Sequence, residues 1–268
     1  MSSGGFEEYL ERVLRPTAAR LVALEYRERG DIVERLVEFK PLEAAGRAGL
    51  GAPELLIGLA ALASEGVVDA SFVEPTLSDL RAVGEALARL DVEFLFGRLG
   101  EAMYRRLAAA LWALVEPQAA GSPPPLCSRG GGELPAGAVS AHLAVFRAAA
   151  LAELLAGQVC GRLRRIREAL TGIGADPVLL EALREELRGL ASKLRVVADA
   201  GCGVVEAAAS LPPERLGAAA EEAGRLASLL SVLREAAEAV EGATRGLGSG
   251  AGLEALDRAI GLLCGGGG

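Results

Sequence analysis

The residues able to do chemistry are few, and arginines lead them. Arg162, Arg164, Arg165 and Arg167 place four guanidinium groups within six positions of a helical pattern. Such planar forks hold phosphate or carboxylate groups, so these four are the candidate contact to a nucleic acid or a protein partner. The plainer use of the same residues is a solvated face, paired with Glu168 and with acids on neighbouring helices. His142 is the single histidine, so neither a histidine pair for a metal nor a relay to a placed nucleophile is available. The carboxylate pairs Glu185-Glu186 and Glu221-Glu222 sit in heptad surroundings and read as solvated faces. Gly246 to Gly252, GLGSGAG, lacks both the Lys-Ser/Thr ending of a phosphate loop and a preceding strand, and reads as a flexible connection between helices. No catalytic, cofactor-binding or metal-ligating set emerges, and an enzyme is not expected.

The four cysteines, Cys127, Cys160, Cys202 and Cys264, are too far apart for a zinc knuckle. They read as scattered free thiols, with Cys160 and Cys202 buried as small hydrophobes. A disulfide stays open should the source be a hyperthermophile, where intracellular bridges occur. Asn is absent, Gln occurs only at 118 and 158, and Lys only at 40 and 193. Depletion of heat-labile amides fits a thermophile, whereas the missing Lys enrichment does not.

Net charge is -8 and the pI about 5.0. An acidic chain argues against a broad nucleic-acid surface, though not against a local basic patch. Met1 to Leu80 holds eight basic residues against fourteen acidic ones. The N-terminus, MSSGGFEEYLERVL, lacks the plan of a signal peptide. No uncharged apolar run reaches the ~18 residues of a membrane span, so a cytoplasmic protein is expected.

Apolar spacing sets out the elements that must carry these residues. Phe6 to Arg29 reads as a helix with Pro16 as a kink or boundary. Asp31 to Ser78 then shows three short helices and a β-prone tail. Asp31 caps a first helix of Ile32, Val33, Leu36, Val37 and Phe39. Pro41 opens a second that ends at Gly49. Pro53 opens a third, striped by Leu55, Leu56, Leu59 and Leu62, and Gly66 stops it. Val67, Val68, Phe72 and Val73 are strand formers closed by Pro75. This order resembles the winged helix-turn-helix superfamily, and ASEGVVDASFVEPTLS is similar to the end of a recognition helix and its entry into a wing. Two departures bear on use: no Asn-Gly or Asp-Gly marks a wing hairpin. The third helix, moreover, carries no Lys, Arg, Asn or Gln for base readout.

A long helical region follows to Glu116, with Gly97 and Gly100 as the break into two helices and Phe94, Phe96, Tyr104 and Trp112 as packing on the preceding core. Residues 117–138 are Pro- and Gly-rich and read as a linker. Beyond it, three segments alternate apolar positions by threes and fours: Val159, Leu163, Ile166, Leu170 and Ile173; Leu180 through Val197; and Leu216 through Val240. Leu253 to Leu263 is a last short helix. The expected fold is therefore mainly α: a small winged-helix-like N-terminal domain with flanking helices (1–116), the linker, an antiparallel coiled-coil-like helical bundle (139–264) and a disordered tail (265–268). The function expected of it is a non-enzymatic adaptor or scaffold working through protein–protein contacts and self-association of the heptad helices. The alternative is a DNA-binding transcriptional regulator with a C-terminal helical dimerisation domain.

Overall fold

The structure, a computed structural model, describes residues 5–29, 49–68, 75–116, 138–172, 176–212 and 217–265. These residues are mainly helical, with no strand among them. The chain opens with α1 (Gly5–Tyr9), a π-helical turn (Leu10–Leu14) and α2 (Arg15–Arg29). The π turn explains why Pro16 does not break the run. The Arg15 amide bonds to Leu10 O, five residues back, which widens the helix just ahead of a residue with no amide to donate. Leu10, Leu14 and Ala18 face inward, and Tyr9 and Val13 face out.

Gly49 and Leu50 lead into α3 (Ala52–Ser64), with Pro53 in its first turn. Its C-terminus is closed at Gly66, where φ is +71°: the Gly66 amide donates to Ala63 O and the Val67 amide to Leu62 O. That pair of bonds satisfies carbonyls the helix leaves open, and the left-handed backbone is why glycine stands there. The two helices expected between Asp31 and Ala48, and the wing positions Phe72 and Val73, lie outside the described residues.

Helix α4 (Leu77–Leu95) starts in a capping box. Thr76 Oγ1 accepts from the Asp79 amide at 3.2 Å, and Asp79 Oδ2 accepts from the Thr76 amide at 2.9 Å. Gly97 ends it and α5 (Glu101–Val115) follows, so the break falls where the two glycines predict it. The bundle then comprises α6 (Ala138–Gly172), α7 (Pro177–Ala209, capped by Asp176), α8 (Ala218–Arg245) and α9 (Gly250–Gly265). The connection between α8 and α9 is a tight turn in which the Ser249 amide and hydroxyl both donate to Gly246 O. Of the expected linker and tail, residues 117–137 and 266–268 lie outside the described residues, and Gly265 is the last residue of α9.

Two apolar clusters form the core. One gathers Leu10, Leu14, α3, the start of α4 and α5, and also takes Leu143, Val145 and Phe146 from α6. The other holds α6 to α9 and takes Ala88 and Val92 from α4. The segments on either side of the linker are thus packed together, mainly through α4 on α6. This contact is close because Gly84 has no side chain: a Cβ there would lie 2.9 Å from Phe146 Cβ and 3.0 Å from the Arg147 amide nitrogen. The heptad seams are filled within the single chain. Leu163, Leu187, Leu194, Leu226 and Leu233 are fully buried against one another's helices.

Contrary to the expectation of scattered free thiols, two of the cysteines are bonded. Cys160 on α6 and Cys264 on α9 form a disulfide across a sequence separation of 104, while Cys202 is a half-buried free thiol. Sequence spacing could not pair them, because the pairing depends on how α9 folds back along α6. Residues 141–171 of α6 include a window long and apolar enough to cross a membrane, with mean hydropathy 1.5, and 67% of that window is buried inside the protein. Arg147, which interrupts the uncharged run, is itself buried in the fold.

Candidate functional site

The four arginines of α6 part company in the fold. Arg167 reaches across to Asp257 on α9, with Nε 2.8 Å from Oδ1. That bond holds the Asp257 carboxyl below its ordinary range and raises Arg167. Arg162 reaches Glu186 on α7 at 3.4 Å. Arg164 and Arg165 are exposed with no carboxylate within 4 Å among the described residues; Arg165 Nε is 3.4 Å from the carbonyl of Gly161 on its own helix. Two of the four therefore bind the helices together, and two point free charge outward. Glu185 and Glu181 on α7 pair along their own helix with Arg188 and Arg184.

A groove of about 430 Å³ opens between α4, α6 and α8. Its floor is apolar, made by Phe146, Ala150 and Leu154 of α6. Its rims alternate in sign. Arg81 of α4 contacts Glu222 of α8 at 3.3 Å; Arg225 of α8 pairs with Glu153 of α6; Arg89 of α4 lies 2.5 Å from Glu54 of α3. Arg81 also lies over the Phe146 ring at 4.9 Å. Glu85 lines the same groove without an ion pair among the described residues. Burial pushes its carboxyl above the usual range, with Glu54 and Glu222 adding to the rise and Arg81 and Arg89 opposing it. Periodicity does not reveal the groove, since its walls come from three helices far apart in sequence.

A buried polar junction lies behind the floor. Arg147 of α6 donates from Nε to Asp91 Oδ2 at 2.8 Å and from its second nitrogen to Oδ1 at 2.7 Å. The Tyr104 hydroxyl of α5 donates to the same Oδ1 at 2.6 Å and accepts from Arg147 at 3.0 Å. Arg147 and Asp91 are 2% and 5% exposed, so this bidentate pair locks α4, α5 and α6 in a dry setting. Sequence reasoning missed it; the available signal was an arginine set inside AVFRAAALA.

The aromatic set divides as well. Trp112 is buried in the first cluster, and Phe94 stacks on Tyr104 with ring centroids 4.6 Å apart. Phe96, at the end of α4, instead packs toward the second cluster, and three cations surround its ring: Arg162 at 4.5 Å, Arg98 at 5.4 Å and Lys193 at 5.5 Å. His142 is half-buried, 6.4 Å from the Phe146 ring. Among the described residues no group of three His, Cys, Asp or Glu could hold a metal ion.

Helix α3, read from the sequence as the third helix of the N-terminal module, is the most enclosed element among the described residues. Ten of its thirteen residues are buried, against the π turn, α2, α4 and α5. Compared with protein-family models, curated proteins and solved structures, the chain matches none.

Proposed function

We propose that the chain is a non-enzymatic helical adaptor that works through protein–protein contacts, and that the groove between α4, α6 and α8 is its docking face. The observation supporting this reading is the make-up of that groove: an apolar floor with rims of alternating Arg and Glu, an arrangement suited to a partner segment bearing apolar anchors and both charge signs. An apolar centre within a polar rim is the usual make-up of a protein-binding patch, and charges of both signs fix the partner's register.

The regulator reading is less well supported. A helix buried on ten of thirteen positions cannot lie in a major groove without leaving the core. The heptad seams that would dimerise are occupied inside one chain, so self-association would use other surfaces. Arg164 and Arg165 are the free basic charge left for nucleic acid on α6. Fluorescence anisotropy with duplex DNA over a salt series separates the two readings. The adaptor reading expects no binding at low salt; affinity falling steeply with salt, and lost in Arg164→Glu/Arg165→Glu, would replace it with the regulator.

A further inference from the structure

We propose that Phe96, Arg98, Arg162 and Lys193 form a binding site for an oxyanion, the phosphate or carboxylate group of a small molecule. The site is separate from the docking groove and does not depend on the adaptor reading. Its three cations come from three places in the chain: the turn after α4, the middle of α6 and the middle of α7. All three lie within 5.5 Å of the Phe96 ring centroid. Like charges brought together from separate elements repel unless something negative joins them. The electron-rich ring attracts each of the three cationic heads and so offsets part of that repulsion.

The protein's own carboxylates leave the cluster incompletely neutralised. Arg98 Nε lies 2.7 Å from Glu93 Oε2, though outside hydrogen-bonding geometry, and its other arm donates to the neutral amide of Gln158 at 3.0 Å. Arg162 reaches Glu186 only at 3.4 Å. Lys193 has no carboxylate within 4 Å among the described residues; its one polar contact is the carbonyl of Gly189, 3.4 Å away on the same helix. Burial, and then the nearby Arg162, push the Lys193 ammonium below the usual lysine range. An incoming oxyanion would accept from the Lys193 ammonium and the Arg162 fork together, restore the balance of charge and return Lys193 toward its ordinary protonation. Arg165, one turn beyond Arg162 and with no carboxylate within 4 Å among the described residues, adds to the attraction. Lys193 is also one of only two lysines in an otherwise arginine-based chain.

That scarcity supplies the probe. Reductive ¹³C-methylation of the full chain labels Lys40, Lys193 and the terminal amine, and Lys193→Gln identifies the Lys193 signal. Inorganic phosphate and succinate are titrated separately, each against sodium chloride of matched ionic strength. The site predicts a saturable shift of the Lys193 signal while Lys40 and the terminal amine follow ionic strength alone. Saturation by phosphate only, by succinate only or by both assigns the anion's source. Arg162→Gln, checked for unchanged helicity, should weaken binding by about tenfold. A Lys193 signal that moves no more than Lys40 in either salt, or binding that Arg162→Gln leaves intact, overturns the site.

Discussion

At the scale of single residues, charge decides the outcome by whether it is enclosed. Arg147 and Asp91 satisfy each other in a dry junction, so removing one strands the other. Arg147→Met should cost ~3–5 kcal/mol, the ordinary loss when a buried pair is broken. Urea unfolding of Arg147→Met/Asp91→Leu should recover most of that, because no lone charge is left. Equal losses in both would mean that the packing of the arginine stem, not its charge, holds the junction. Glu85 presents the opposite case. Its folded pKa is raised by burial, so its ionised form opposes folding; that cost is absent below the unfolded value of ~4.3 and appears as pH rises through the folded one. Glu85→Gln should therefore raise the melting temperature at neutral pH by about 1–2 °C. The gain over wild type should shrink to nothing as both are melted at falling pH; a gain independent of pH would refute the assignment.

Among elements, the α4–α6 contact ties the two apolar clusters together, and Gly84 sets its spacing. Gly84→Ala should cost ~1–3 kcal/mol by forcing the two backbones apart, despite alanine's better helix propensity. Gly157→Ala and Gly161→Ala, where an added Cβ meets nothing within 4 Å, should instead stabilise by up to ~1 kcal/mol. Thermal melts of the three variants measure this directly, and a destabilised Gly161→Ala would show α6 covered there in solution. Glycine and proline made the elements themselves legible: Pro53 and Gly66 bracket α3, Gly97 ends α4, and Asp176-Pro177 starts α7. Threes-and-fours spacing placed Leu163, Leu187 and Leu226 in the core. Pairing was not legible, because which helix lies on which depends on surfaces far apart in sequence. For that reason Arg162 and Arg167 read as one patch, yet they face Glu186 and Asp257 on different helices.

For the molecule as a whole, the bond from Cys160 to Cys264 ties the last helix back to the middle of α6. Closing so long a loop constrains the unfolded chain by ~4–5 kcal/mol in the chain-entropy account, with less often realised. Cys264→Ser should lower the melting temperature by several degrees, and reductant should do the same to wild type and nothing to the variant. Equal reductant sensitivity in both would place the effect elsewhere. Beyond stability, the central claim is that the groove of Phe146, Ala150 and Leu154 docks a protein. The swap Glu153→Arg/Arg225→Glu keeps an opposite-sign pair across α6 and α8 while inverting the charges a partner meets. The deciding measurement is quantitative capture from the native host after nuclease treatment, comparing wild type with the swapped chain at matched melting temperature. The account predicts a stoichiometric protein partner on wild type that is lost from the swapped chain. Equal recovery on both, or material that nuclease removes, would contradict it.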